Sequence, residues 1–319
     1  MPTISDSTRG EFALIEKIRN LSAPVPEGVL GIGDDCAVLP QKDGLQSLVS
    51  CDLLVEGEHF VLDRISPREL GWKSAAVNIS DIAAMGGRPR GTFLSLCLPE
   101  KFSEADVLEF IEGYNALSSR FSCPLLGGDT TRGKLLCINV TVLGECPAGR
   151  AVLRSGARPG DLICVTGPLG DSATGLELIL SDRSSDPNYQ YLKERHYLPV
   201  PRVGEGMAIA KAGAGAMMDI SDGVASDLRH ILKASSVGAE VDCGAIPMST
   251  QMQKTCASLG LDPVEKALCG GEDYELLFTI GEQELKRLDV EHYVIGRITA
   301  GSTLVWKGSD RDYLGFRHF

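Results

Sequence analysis

Residues 66–87 read SPRELGWKSAAVNISDIAAMGG. Ser66 followed by Pro67 is the cap and first-turn pair that opens a helix, and Gly86-Gly87 is where such a helix stops. Between them Ala, Val, Ile and Met fall on nearly every side. A surface helix would show one apolar stripe, so this one is expected to be mostly buried. Ser74, Asn78 and Asp81 stand at i, i+4 and i+7 and make a single polar stripe along it. A solvated side is the plain alternative, but on a helix that is apolar elsewhere the stripe is expected to face a pocket. A buried aspartate there needs a partner.

Working outward, residues 11–20 have helical spacing, and LQSLVSCDLLVEG (45–57) has the apolar, β-rich character of a strand leading into a loop, with Asp52 expected where that strand ends. TFLSLCLP (92–99) predicts another strand and 103–120 an amphipathic helix. CPLLGGDTTRGKLLCINVTVLGE (123–145) predicts a strand, a turn at Gly-Gly-Asp-Thr-Thr and a second strand. GRAVLRSGARPGDLICVTGPLGDSATGLELIL (149–180) begins a new unit with its own strand, glycine turn and helix. A boundary near residue 150 divides the 319 residues into 1–150 and 151–319, each long enough for its own core. In the second unit, 214–238 predicts a strand, an Asp-rich turn, a helix and a glycine stop, and LCGGEDYELLFTI (268–280) a turn feeding a strand.

Composition narrows the function classes. Forty-three acidic against 31 basic residues give a net charge of −12, which disfavours nucleic acid. The N-terminal MPTISDSTRGEF lacks a basic start followed by an apolar run, and no apolar run has membrane-spanning length, so a cytoplasmic protein without a membrane partner is expected. The 10 cysteines form no C-x-x-C pair, which argues against a zinc site and a disulfide framework.

GIGDDCAV (31–38) has the glycines of a phosphate-binding turn but carries two carboxylates instead of a lysine. Aspartate beside small residues recurs at Asp52, Asp81, Gly128-Asp129 and Asp219 with Asp222. Each follows an apolar strand or lies on the buried helix, where carboxylates are rare. Like charges 4 Å apart repel by about 4 kcal/mol at an effective dielectric near 20, so converging acids require a cation. Mg2+ takes oxygen ligands and completes its shell with nucleotide phosphates, which makes a metal-bridged polyphosphate site the expected chemistry. The P-loop, G-x-G-x-x-G, kinase and G-x-S-x-G signatures are absent.

GIGDDCAV, CDLLVEGEHF, AVNISDIAAMGG, LLGGDTTRG, LRSGARPGD, TGPLGDSATGL, RHYLPVPR, DISDGVASDL and GGEDYELLF occur in an order that resembles the thiamine-monophosphate kinases. The resemblance runs from about residue 10 to the final GFRHF. It implies an α+β, two-domain PurM-like fold, an N-terminal sheet that forms a homodimer interface, and a C-terminal α/β sandwich domain. It implies ATP as phosphoryl donor, several Mg2+ ions, thiamine monophosphate as acceptor, and admits a K+ requirement. By position it makes Asp35, Asp52, Asp81, Asp129 and Asp222 magnesium ligands, with Asp219 and the Ser50-Cys51 pair completing the shells. Cys51 stands where the family usually has Thr. Arg154, Ser221 and the Gly128-Asp129 backbone match ATP contacts; His59, Glu272 and Tyr313 match the lining of the substrate pocket. Asp81, Asp222 and Arg154 are the residues on which catalysis is expected to depend most. Another ATP-dependent member of the superfamily, a Mg2+-dependent phosphohydrolase and a non-catalytic Mg2+-nucleotide binding protein remain the alternatives at this point.

Overall fold

The structure, a computed structural model, describes residues 11–41 and 43–315. In the first half, β1 (Ala37–Pro40), β2 (Leu45–Val55), β3 (Arg88–Leu98), β4 (Leu125–Arg132) and β5 (Cys137–Pro147) form one sheet in the order β1-β2-β5-β3-β4. In the second, β6 (Leu162–Val165), β7 (Ala216–Asp219), β8 (Gly238–Asp242), β9 (Leu276–Ile280), β10 (Tyr293–Thr299) and β11 (Leu304–Lys307) form another, ordered β11-β8-β10-β6-β9-β7. The helices are α1 (Glu11–Leu21), α2 (Pro67–Ala84), α3 (Glu104–Ser118), α4 (Asp171–Leu180), α5 (Tyr189–Tyr197), α6 (Val203–Ala212), α7 (Val224–Ser235), α8 (Thr250–Leu259), α9 (Pro263–Cys269) and the short α10 (Glu282–Leu285). The chain is therefore α+β, and each half builds a sheet of its own.

Helix α2 decides how the halves meet. Ser66 caps it with a reciprocal capping box: its hydroxyl accepts the Glu69 N–H at 3.2 Å, and its own N–H donates to Glu69 Oε2 at 3.0 Å. Gly86, in the left-handed region at φ +69°, ends it. Its lack of a solvent side follows from its position. Leu70, Ala75 and Ala76 pack into the core under the first sheet, and Ile79, Ile82 and Met85 share a second core with Met217, Leu276 and Phe278 of the other half. Against α3 the contact is backbone to backbone. A Cβ on Gly71 would stand 1.9 Å from the Phe110 carbonyl oxygen, and one on Gly113 1.9 Å from that of Arg68.

Strand alternation leaves one face of the first sheet bare. Leu48, Leu54, Leu94, Leu96, Ile138, Val140 and Val142 are buried, whereas the intervening Cys51, Leu53, Phe93 and Ser95 are exposed. Leu53 and Phe93 keep 53% and 41% of their surface.

The expected turn at Gly-Gly-Asp-Thr-Thr is not a turn. Residues 127–131 lie inside β4, the edge strand, which runs parallel to β3. The two glycines serve close approach: Gly127 lies against the Phe93 ring, and a Cβ on Gly128 would sit 1.7 Å from the Leu94 carbonyl oxygen. A second small correction falls at α7, which is ended by Ser236 in the left-handed region (φ +56°) and not by Gly238, the first residue of β8.

Candidate active site

Four separate segments deliver carboxylates to one place. The turn before β1 brings Asp34 and Asp35, β2 brings Asp52, α2 brings Asp81 and the end of β7 brings Asp219. Oxygens of Asp35, Asp81 and Asp219 lie within 4.8 Å of one another. Neighbouring hydroxyls orient them: Ser50 Oγ donates to Asp81 Oδ2 at 2.6 Å, and Ser80 Oγ to Asp219 Oδ2 at 2.5 Å. The polar stripe of α2 has a different task at each position. Ser74 bonds back to the Leu70 carbonyl (2.7 Å), Asn78 Oδ1 accepts the Asp52 N–H (3.2 Å), and Asp81 joins the acids. The 31–36 turn is tied down by its own first acid, since the Arg154 backbone N–H donates to both Asp34 oxygens at 3.1 and 3.2 Å. The Arg154 guanidinium meets Asp35 Oδ1 through Nη2 at 2.5 Å, while Asp35 Oδ2 is buried and accepts no hydrogen bond.

Such an arrangement is electrostatically costly. At 4.8 Å and an effective dielectric near 20, each pair of like charges repels by roughly 3 kcal/mol. Burial, then the charge of Asp35, pushes Asp52 up to about 6 and Asp219 up to about 7. Burial, then Asp52, Asp219 and Asp35, raises Asp81 well above the carboxylate range. Beneath them, burial and Asp222 raise Asp227, whose carboxylate accepts the Asp222 N–H at 3.3 Å. An orphan carboxylate oxygen amid an all-oxygen donor set is what a hard divalent cation fits.

These shifts predict a pH effect. In the unfolded chain Asp52 and Asp219 lose their protons near 4; in the fold they hold them to about 6 and 7. The stability they contribute is fully present below pH 4 and lost as pH rises through 7. With chelator present, the unfolding temperature is expected to fall between pH 6 and 8, and Mg2+ should raise it more at pH 8 than at pH 6. Calorimetric melts at both pH values check this, and an equal Mg2+ effect at both would contradict it.

The acids open onto a cavity of about 1320 Å³. Arg154, Ser221 and Asp222 line it beside the cluster. Further along, its wall is apolar, with Phe60, Ile179, Tyr197 and Tyr274 from one core cluster, together with His59 and Glu272. His59 Nδ1 accepts the Val55 N–H at 3.1 Å. Glu272 is held below the carboxylate range: burial acts to raise it, but Lys73 at 2.9 Å, His196 and His59 outweigh that.

Comparison with known proteins settles the family. Residues 33–146 match the AIR synthase related protein, N-terminal domain, and 158–307 the corresponding C-terminal domain. Thiamine-monophosphate kinase of Salmonella typhimurium is 45% identical over 290 residues, covering 88% of this chain and 86% of that protein. The chain belongs to the thiamine-monophosphate kinase family. The Bacillus subtilis thiamine-monophosphate kinase is 41% identical over 286 residues, with the same coverage of 88% and 86%. The solved structure of AaThiL complexed with AMPPCP and TMP has a TM-score of 0.89 and 36% identity, over 99% of both chains. The PurM-like, two-sheet fold expected of a thiamine-monophosphate kinase is thereby shown.

Of the positions that the resemblance to thiamine-monophosphate kinases singled out, Asp35, Ser50, Cys51, Asp52, Asp81, Arg154, Asp219, Ser221, Asp222, His59 and Glu272 line this one cavity. Cys51 does so on the far side of the β2 pleat from Ser50 and Asp52, and its Sγ is 3.0 Å from Asn139 Nδ2, so its thiol is turned away from the acids. Two expectations need correction within a single subunit. Gly128 and Asp129 are on the exposed edge strand, three strands from β2, or about 14 Å at the usual strand spacing. Asp129 pairs in register with Ser95, and Ser95 with Asn139, on the bare face opposite that of Asp52. Tyr313 is outside the cavity as well. It is 5% exposed, meets the Trp306 ring edge-on at 5.4 Å, and is covered by its own half's core, so its face is not presented to a substrate ring. Sequence reasoning missed Lys73, Ser80 and Asp227. The one signal for Lys73 was a lysine inside a helix that is apolar outside its single Ser74-Asn78-Asp81 stripe, at GWKSAAV.

Proposed function

We propose that this chain transfers the γ-phosphoryl group of ATP to the phosphate of thiamine monophosphate, giving thiamine diphosphate and ADP, the last step in making that cofactor. The observation that carries the reading is the likeness over 99% of both chains to AaThiL complexed with AMPPCP and TMP, at 36% identity. On this reading Asp35, Asp52, Asp81, Asp219 and Asp222, with Ser50 and the Cys51 backbone, would hold Mg2+. Bound there, the metal screens the repulsion between carboxylates and phosphates.

The chain's own groups then have limited chemistry to perform. The acceptor is a phosphate monoester with a second pKa near 6, so its attacking oxygen is already largely deprotonated at neutral pH. No strong base is required, which agrees with a site in which His59 serves to line the wall. A P–O bond forms to the γ-phosphorus as the bond to the ADP oxygen breaks, in line and without a phosphoenzyme. Arg154, fixed through Asp34 and Asp35, supplies a cation beside the transferring group, Ser221 meets the nucleotide, and the apolar wall with His59 and Glu272 takes the substrate's rings.

We assign dimerisation and the larger share of ATP and metal binding to residues 1–150, and the remaining PurM-like domain to 151–319, which adds Arg154, Asp219, Ser221 and Asp222 to the same cavity. The bare face of the first sheet, with Leu53 and Phe93 exposed, is what a second copy would cover. Among the described residues no helix is long and apolar enough to cross a membrane; the reading places the enzyme in the cytoplasm with its ATP.

The direct test is to mix purified protein with MgATP and thiamine monophosphate and assay thiamine diphosphate. Stoichiometric product and ADP are expected. Phosphate release without acceptor would point instead to a hydrolase, and nucleotide binding without turnover to a sensor; either result sinks the kinase reading.

A further inference from the structure

Residues 272–275, Glu-Asp-Tyr-Glu, follow an unusual path. Glu272 (φ +62°) and Tyr274 (φ +52°) both adopt the left-handed region, which residues with a Cβ occupy only where their surroundings hold them. The surroundings here are three separate anchors. The Asp273 carboxylate accepts the N–H groups of Gly170 (2.7 Å) and Ser172 (3.2 Å) at the start of α4, so an acid of this chain fills that helix N-terminus. Glu275 is clamped by Arg202 (Nε at 2.7 Å, Nη2 at 2.5 Å), by Arg195 at 3.1 Å and by Thr166 Oγ at 2.7 Å. Of the three acids, Glu272 alone lines the cavity.

Its anchor is Lys73. That side chain is fully buried on α2, and its Nζ lies 2.9 Å from Glu272 Oε1 and 3.0 Å from Oε2. Beside it stands His196, 3% exposed and itself part of the cavity lining, with Nε2 at 3.5 Å from Nζ and Nδ1 at 3.4 Å from Glu272 Oε2. Burial and the Lys73 ammonium push His196 down to about 3, so it is neutral at physiological pH. An ammonium at Nε2 fixes the imidazole proton on Nδ1, which faces Ser172 Oγ at 2.9 Å. The RHYLPVPR segment is thereby accounted for: Arg195 and Arg202 hold Glu275, and His196 braces Lys73.

We propose that Lys73 is a positioning residue for the acceptor substrate: it holds Glu272 as an ionised, neutralised hydrogen-bond acceptor of fixed direction in the cavity wall. This rests on the thiamine monophosphate reading. Lys73 is absent from the cavity wall, so it acts through Glu272. Because the pair carries no net charge, Glu272 is not a counter-ion for the thiazolium. Oε2 also has His196 Nδ1 at 3.4 Å, so Oε1 is the oxygen with an acceptor site beyond the one given to Lys73, and the substrate group suited to it is a neutral donor, the exocyclic amino group of the aminopyrimidine. Selection is then by where a donor sits.

The test is a double-mutant cycle of Lys73→Met and Glu272→Gln, with KM for thiamine monophosphate and for ATP as readouts and thermal melts to confirm folding. Each single variant should raise KM for thiamine monophosphate by about 10- to 100-fold while KM for ATP moves by about twofold or less, and the double variant should be no worse than the poorer single. Multiplicative losses in the double, or equal damage to both KM values, overturn the proposal. Should Lys73→Met not fold, Glu272→Asp carries the test, since it keeps the charge but draws the carboxylate off Nζ. It should still raise KM for thiamine monophosphate at least about tenfold, and a parental KM there overturns the positioning role. Parental protein that forms no thiamine diphosphate overturns the functional reading itself, and this proposal with it; losses of the wrong pattern in an active enzyme overturn this proposal alone.

Discussion

Asp81→Asn is expected to lower kcat by on the order of a thousandfold, the scale of removing a group aimed at transition-state charge, while the metal-free protein melts no lower than the parent. The two halves of that expectation have one cause. Asp81 stands among three carboxylates whose oxygens lie within 4.8 Å of one another, and in the fold without metal its charge is a liability. Burial and the neighbouring acids already hold it towards the protonated form. An amide has nearly the same shape, and its carbonyl oxygen can still accept from Ser50 Oγ, which now donates to Asp81 Oδ2 at 2.6 Å. Stability is preserved or improved, and the loss falls on charge compensation once metal and phosphates arrive. The check is kcat from the thiamine diphosphate assay beside melts in chelator. A variant keeping more than a tenth of parental turnover would remove Asp81 from the metal shell, and one that melts well below the parent would mean the carboxylate is structural.

How much of this was legible in the chain depends on the range of the interaction. Helix α2 was readable because its signals are local: Ser66-Pro67 at one end, Gly86-Gly87 at the other, and a stripe whose burial followed from the absence of any other polar side. The acid cluster was half legible. Each aspartate behind an apolar strand is anomalous by itself, and the order of the motifs supplied the grouping; no periodicity would have joined Asp35, Asp81 and Asp219 across 184 residues of sequence. Gly127-Gly128 misled because glycine marks both a reversal and a close approach, and only the partner strand, carrying Phe93 and the Leu94 carbonyl, distinguishes them. Tyr313 misled for a related reason. A tyrosine near a chain's end offers the same face to a substrate as to a tryptophan of its own core, and here Trp306 takes it. The Lys73–Glu272 pair, 199 residues apart, had no sequence signal beyond an out-of-place lysine.

The position of Asp129 leads to the second large effect. It belongs to the motif that the family resemblance places at the nucleotide, yet in one subunit it is exposed on the edge strand and aligned with the bare face, away from Asp52. Both facts are satisfied if a second copy covers that face, so that each nucleotide meets the acid cluster of one subunit and Asp129 of the other. Asp129→Asn and Asp81→Asn homodimers should then each be nearly inactive, for different reasons. In a mixed dimer one site carries both substitutions and the other carries neither. Random exchange of equal amounts makes half the dimers mixed, with one intact site in two, so the mixture should recover about one quarter of parental activity from two inactive preparations. Mixing after mild dissociation, with activity followed as subunits exchange, gives the measurement, and a size measurement confirms the dimer. Recovery cannot arise if Asp129 serves its own subunit, because every mixed dimer would then hold two sites with one lesion each. A mixture that stays inactive although the subunits have demonstrably exchanged would therefore assign Asp129 to the site of its own chain, and would require β4 to move towards Asp52 when nucleotide binds.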